Sequence, residues 1–299
     1  MAADKVRVIC GPTAAGKSAI ASILALGHDA TIISADSRQI YRGFDIGTAK
    51  PARSERKEIR YEGIDICDPV DRYSASAWAE LAKSVLSRDE NAIVVGGTGF
   101  YIRALFEPLF TVPHIDGEAR RTIEAYFAGT PTAELRRWCF AMDPGRAHLG
   151  RVQLLRAIEV ALLTGKRISE LHETNAQSSE LTAAYLLVDA GPELAKRIES
   201  RVDAMIDAGW LDETRALDAS VPDDAPAWKA SGYRTMREVA RGNVDLSAAR
   251  ERIIIETRQY AKRQRTWFRH QLPVESVTHV DPGDPERDAV VERWWKETS

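Results

Sequence analysis

Gly11, Gly16, Lys17 and Ser18 stand at the fixed positions of a G-x-x-x-x-G-K-S loop, GPTAAGKS, in a chain of 299 residues. The glycines allow the backbone to curl, so that the N–H groups of Thr13, Ala14 and Ala15 point inward. Lys17 adds a full positive charge, and the Ser18 hydroxyl is within reach of a Mg²⁺ ion carried by phosphates. The pattern predicts a polyphosphate site without saying whose phosphates it holds. A second chemical group arrives 18 residues later at Asp36, in Asp36-Ser37-Arg38-Gln39. Its carboxylate could bind Mg²⁺ through water, take a proton from a nucleophile, or cap a helix. A third candidate is Thr98 in Gly96-Gly97-Thr98-Gly99, where the backbone can approach a ligand closely and the hydroxyl can hydrogen-bond to it.

Strands have to deliver these groups to one edge. Val6 to Cys10 is an apolar run around Arg7, Ala30 to Ser34 reads as a second buried strand, and Ala92 to Val95 is a continuous apolar run of the kind found in buried parallel strands; each ends in one of the candidate sites. Helical spacing follows the first run, and Ser74 to Arg88 reads as a helix with Ser74 as its cap. Ligands in such sheets bind at the carboxyl ends of the strands. Asp36 and Thr98 are therefore expected beside the loop at Gly11. Ile64 to Pro69 reads as a short strand and turn, and DIGTAKP (45–51) as a loop without a generic motif. From Glu118 to Thr164 the alternation gives way to helical patterns. Ala183 to Asp189 restores a strand, followed by a helix over Glu193 to Ala208 on which Arg197 and Arg201 share a face. They could reach a substrate phosphate or pair with Glu193 and Asp203. A long helix is predicted over Arg250 to His270, a strand over Val274 to Val280, and a last helix packing Trp294 and Trp295.

Composition narrows the class. A hydrophobic fraction of 44% and a charged fraction of 28% are those of an ordinary globular protein. No apolar run approaches the roughly 20 residues of a membrane span, and no signal-peptide segment is apparent, so a cytoplasmic protein is expected. Cys10, Cys67 and Cys139 have neither zinc nor disulfide-framework spacing. The net charge of −3 conceals two basic stretches. Arg120 to Arg156 carries seven cations against three acids, and Arg250 to His270 seven against two. In the second stretch Arg258, Lys262, Arg265 and Arg269 form one helical stripe. These stretches are the candidate polyanion surface.

Taken in order, GPTAAGKS, SADSRQIYRGFDIGTAKP (34–51), VVGGTGFYIRAL (94–105), LLRAIEV (154–160), SGYR (231–234) and RQYAKRQRTWFR (258–269) resemble the tRNA dimethylallyltransferase family, bacterial type. The resemblance runs to about Arg269. It implies an α/β fold, a P-loop NTPase-like three-layer parallel sheet with a helical insertion and a helical C-terminal part. The corresponding divisions are 1–112, 113–182 and 183–299. It further implies transfer of a dimethylallyl group from dimethylallyl diphosphate to N6 of the adenosine 3′-adjacent to the anticodon. Gly11, Thr13 to Ser18 and Arg201 would hold the diphosphate, with Mg²⁺ on Ser18. Asp36, Lys17 and Thr98 would be catalytic, Asp36 accepting the amine proton. Asp36, Ser37, Arg38, Gln39, Thr98, Arg120, Gln153 and Arg156 would meet the tRNA anticodon stem-loop. Neither a membrane nor an obligate protein partner is implied. Between Asp143-Pro144 and LLRAIEV this chain has a shorter connection than the family usually carries. Two alternatives stay open, an adenylate prenyltransferase of cytokinin type and a P-loop small-molecule kinase.

Overall fold

Residues 5–107, 115–174 and 181–298 are described by the structure, a computed structural model. They fall into two compact units, 1–106 with 179–299 and 107–178. The expected boundary at 112/113 lies outside the described residues.

The first unit is built on β1 (Val6–Cys10), β2 (Ile32–Ser34), β3 (Tyr61–Glu62), β4 (Ile93–Gly96), β5 (Ala183–Val188) and β6 (Val277–Val280). They form one parallel sheet in the order β3-β2-β4-β1-β5-β6, flanked by helices. Every residue of β1, β2 and β4 is buried, which accounts for their mostly apolar sequence; the exception in β1, Arg7, donates to Thr298 Oγ1 and the Glu90 carbonyl. β1 sits between β4 and β5. The chain leaves it toward β2 and later returns past it to β5, so the strand order reverses at the end of β1. The strand expected at 64–69 is replaced by β3, three residues earlier. Cys67 contributes only an isolated bridge to Tyr41.

Helix α1 (Lys17–His28) starts where the phosphate loop ends and buries Ile20, Ala21, Leu24 and Ala25. After the short α2 (Glu55–Glu58), α3 (Ala75–Leu86) is capped by Ser74, whose hydroxyl accepts the Ala77 N–H. Its Trp78 is buried and donates Nε1–H to the Ser34 carbonyl at 2.8 Å, which fixes the end of β2. α4 (Gly99–Phe106) stacks Tyr101 on Trp78. After β5 come α9 (Leu194–Asp207), α10 (Trp210–Asp218), α11 (Tyr233–Ala240), the 26-residue α12 (Leu246–Gln271) and α13 (Arg287–Glu297). Trp294 and Trp295 of α13 are buried, as expected.

The second unit contains α5 (Gly117–Tyr126), α6 (Thr132–Met142), α7 (Arg151–Thr164) and α8 (Ile168–Thr174). They pack around Phe127, Leu135, Cys139, Leu154, Ile158 and Ile168. Asp143, fully buried, accepts hydrogen bonds from Ser169 N and Oγ and ties α6 to α8.

The DIGTAKP loop, which has no generic motif, is held from two directions. Lys50, its side chain 1% exposed, donates Nζ–H to Asp45 Oδ1, Asp65 Oδ1 and the Tyr41 carbonyl. From the other side Glu213 Oε2 accepts the N–H groups of Asp45 and Ile46, while Tyr233 Oη accepts that of Gly47. A Cβ on Gly47 would lie 2.2 Å from Trp210 Nε1, so no larger residue fits. Burial opposes ionisation of Asp65, but hydrogen bonds from Lys50 and Arg56 prevail and hold its carboxyl below the ordinary value. That contribution to stability is present above about pH 4 and is lost as the pH falls below it. Replacing Lys50 by Met leaves two carboxylates without their shared cation. Urea unfolding is expected to show a loss of about 2–4 kcal/mol at neutral pH, less than for a fully buried pair because both partners are partly exposed. The deficit should shrink in acid.

Candidate active site

The turn from β1 into α1 is built as its glycines require. Gly11 has φ 142°, and a Cβ there would lie 2.1 Å from the Val188 carbonyl oxygen of the neighbouring strand end. Gly16 has φ 101° and Ala14 φ 62°, while Ala15 is buried. Lys17 folds its side chain back over the loop and donates Nζ–H to the Pro12 carbonyl at 2.8 Å. Burial, and next the neighbouring guanidinium of Arg201, lower its pKa to about 8. Arg201 comes from α9, one turn after Arg197. With Lys196, Arg197 and Lys17 it lines an open groove of about 450 Å³ beside Gly16 and Ser18. Asp203 does not pair with either α9 arginine, being held instead by Arg250 of α12. Four cations thus surround the N-terminus of α1, which itself favours anions.

Asp36 follows β2 at the same edge. Its Oδ1 accepts the Arg38 N–H at 2.8 Å, an Asx turn that fixes the carboxylate. Thr98, after β4, accepts the Ser37 N–H on its Oγ1 at 3.1 Å, and its side chain also hydrogen-bonds Tyr260 of α12. Thr98 therefore steadies the turn that carries Asp36. Tyr260 has its pKa pushed up to about 12, by burial first and by the Asp36 charge next.

Gln264, one turn farther along α12 and 7% exposed, connects the two glycine-rich strand ends. Its Oε1 accepts the Thr13 N–H at 2.8 Å and its Nε2 donates to the Gly97 carbonyl at 2.8 Å. No motif assigns a role to Gln264 or Tyr260. Their spacing of four, continued by the buried Phe268, is the signal that places both on one inward face.

Two cavities meet at these groups. One of about 220 Å³ is lined by Lys17, Ser18, Gln39, Ile32 and Val95 among others, the other, about 70 Å³, by Arg38, Gly47, Thr48, Met205 and Trp210 among others. Thr13, Asp36, Arg201 and Tyr260 belong to both. A broader hollow of about 570 Å³ presents Arg38, Arg234, Arg252 and Arg263 around Trp228 and Tyr260.

The remaining sequence candidates are engaged within the chain. Gln39 accepts from Ser34 Oγ and donates Nε2–H to the carbonyls of Thr48 and Ala49 at 3.1 Å, bracing the DIGTAKP loop. In the second unit Gln153 accepts the Gly150 N–H at 3.0 Å and caps α7. Arg120 and Arg156 converge there on one oxygen of Glu159, at 2.7 and 2.6 Å. Burial raises the Glu159 carboxyl above its ordinary range against the pull of Arg156 and Arg120. The basic stripe on α12 is also partly committed, since Arg258 pairs with Glu199 and Arg265 with Asp189. Lys262 and Arg269 of that stripe are exposed.

The model of the family described as IPP transferase matches residues 39–271. The chain belongs to the IPP transferase family. It is 39% identical over 282 residues to a tRNA dimethylallyltransferase of Gloeobacter violaceus, covering 90% of this chain and 91% of that one. It is 40% identical over 284 residues to one of Geobacter metallireducens, covering 91% and 92%. Among solved structures it resembles the tRNA isopentenylpyrophosphate transferase of Bacillus halodurans, with a TM-score of 0.66, 30% identity and coverage of 99% and 98%. It also resembles a eukaryotic dimethylallyltransferase acting on tRNA, with a TM-score of 0.75, 25% identity and coverage of 93% and 74%. These neighbours agree with the P-loop NTPase-like architecture described above.

The lowered pKa of Lys17 gives the loop a pH signature. The ammonium is charged well below pH 8, half charged near that value and lost as the pH rises through it, so the free protein should bind inorganic pyrophosphate more weakly in alkali. One charge-assisted contact corresponds to a change of roughly 10–100-fold. Calorimetric titration is expected to show this fall in the native chain, and a smaller one in Lys17→Arg, whose guanidinium stays charged.

Proposed function

We propose that the chain is a cytoplasmic tRNA dimethylallyltransferase. It transfers the dimethylallyl group of dimethylallyl diphosphate to N6 of the adenosine 3′-adjacent to the anticodon and releases diphosphate. The observation that carries this reading is the meeting of the two cavities at Asp36, with the cationic phosphate loop on the wall of the larger one. Family membership and the similarity to proteins named for this reaction support it. No described helix is long and apolar enough to cross a membrane.

In this mechanism Gly11, Thr13, Ala14, Ala15, Gly16, Lys17, Ser18 and Arg201 hold the donor diphosphate, and the allylic tail occupies the larger cavity. The target adenine enters from the side of the smaller cavity. Base flipping there requires little unpairing, because anticodon-loop bases are already single-stranded. An exocyclic adenine amine is a poor nucleophile, its lone pair being delocalised into the ring. Asp36 accepts a hydrogen bond from N6–H, orients the amine, and takes the proton as the N6–C1 bond forms and the C1–O bond to diphosphate breaks. Lys17, Arg201 and the loop amides stabilise the charge growing on the departing diphosphate where it appears. Thr98 and Tyr260 keep the Asp36 turn in place. Ser37, Arg38 and Gln39, with Arg120, Gln153 and Arg156 of the second unit, serve the tRNA. Glu159 between Arg120 and Arg156 would hold the pair at one spacing for the phosphate backbone.

The donor set suits Mg²⁺. Ser18 and Asp36 offer oxygen atoms on one cavity, and among the described residues no group of three metal-ligating side chains converges. That is the chemistry of an ion held mainly by substrate phosphates and water. When bound, Mg²⁺ supplies further neutralisation of the diphosphate.

Asp36→Ala is expected to slow transfer from labelled dimethylallyl diphosphate to unmodified tRNA by about 10²–10⁴-fold, while binding of the donor is retained. Unchanged transfer would remove Asp36 from the chemistry. Label entering AMP but not tRNA would make the chain an adenylate prenyltransferase, and ATP turnover without prenyl transfer a kinase.

A further inference from the structure

The larger cavity extends along the sheet from the phosphate loop, and the strand register orders its lining. α1 runs back along the sheet from the end of β1. Ser18 and Ser34 therefore line the cavity near the phosphate loop, while Ala21 and Ile32 line it farther from the loop. Ile32 is paired with Tyr61 of β3, which places Tyr61 at the end away from the loop, where the half-buried Glu55 of α2 also lines the cavity.

Ala21, Ile32, Pro51 and Val95 contribute apolar surface against which an isoprenoid tail can lie, among the polar Ser34, Gln39 and Lys50. This far end is polar. Tyr61 donates its hydroxyl to Glu55 Oε1 at 2.6 Å, Ser22 donates to the same oxygen at 2.7 Å, and the two hydroxyl oxygens lie 3.5 Å apart. Glu55 is set there by a braced segment, because Arg56 donates Nε–H to the Pro51 carbonyl and Nη1–H to Asp65 Oδ2. A carboxylate has about four lone-pair sites, and these two bonds use only part of them. The methyl groups of a plain dimethylallyl tail cannot use that remaining capacity. A hydroxyl on the carbon farthest from the diphosphate can, by donating to Glu55 or Tyr61.

We infer that the cavity accepts a C5 allylic diphosphate bearing a terminal hydroxyl, and that Glu55 and Tyr61 are the residues that recognise it. This rests on the reading of the cavity as the donor site. The transfer is the same as for the plain donor: the C1–O bond breaks, diphosphate leaves with its electron pair, and C1 bonds to N6 as Asp36 takes the amine proton. The distal hydroxyl is carried unchanged into a hydroxylated isopentenyl product.

The test compares kcat/KM for dimethylallyl diphosphate and for its terminally hydroxylated counterpart, with Mg²⁺ and unmodified tRNA, in the native chain and in Tyr61→Phe and Glu55→Ala. The native chain is expected to use the hydroxylated donor at least as well as the plain one. Each substitution should lower the ratio of hydroxylated to plain donor by about tenfold. Transfer from the plain donor alone in the native chain overturns the inference whether or not the variants fold, and so does a ratio unmoved in both folded variants. Transfer from neither donor would overturn the donor-site reading itself, a separable result.

Discussion

The carboxamide of Gln264 spans the two glycine-rich strand ends, accepting from the Thr13 backbone and donating to that of Gly97. Neither loop has side-chain bulk to hold its own shape, since both must let a ligand approach their backbone. The bridge supplies that shape from a separate, rigid element. Its loss would leave the buried Gly97 carbonyl unsatisfied, at about 1–3 kcal/mol, and release the part-buried Thr13 N–H. α12 in turn is anchored along its length, through Arg250 to Asp203, Arg258 to Glu199 and Arg265 to Asp189. The geometry of the phosphate loop is therefore set by a helix that starts 235 residues after the first residue of the loop.

On this frame charge is distributed unevenly. Burial, and next the nearby charge of Arg201, depress the Lys17 pKa, a disfavoured arrangement without an anion between the two cations. Asp36 partly offsets it, and a bound diphosphate would offset it further. The same logic of cations gathered around one carboxylate recurs in the second unit at Arg120, Arg156 and Glu159. There the carboxylate belongs to the protein, and Arg120 also pairs with Glu124 one turn along α5.

Much of this was legible in the sequence because it rests on local rules. The phosphate loop, the buried strands, the Ser74 cap and the long α12 follow from glycine placement, β-branched runs and helical spacing. Partners distant in sequence were not legible. Glu213 and Tyr233 clamp a loop about 170–190 residues away in the chain, and nothing in DIGTAKP announces them. The α12 arginines showed their common face, but not that Arg258 and Arg265 face acids of the same chain. Gln264 lay inside a quoted motif, and its role depends on two backbone atoms that no side-chain pattern records.

The most direct test is to locate the product. tRNA incubated with the chain, Mg²⁺ and dimethylallyl diphosphate would be cut with ribonuclease, and its fragments sequenced by mass spectrometry. The account predicts a single isopentenyl group on N6 of the adenosine 3′-adjacent to the anticodon. An unmodified tRNA, or an isopentenyl group on any other nucleotide, would contradict it.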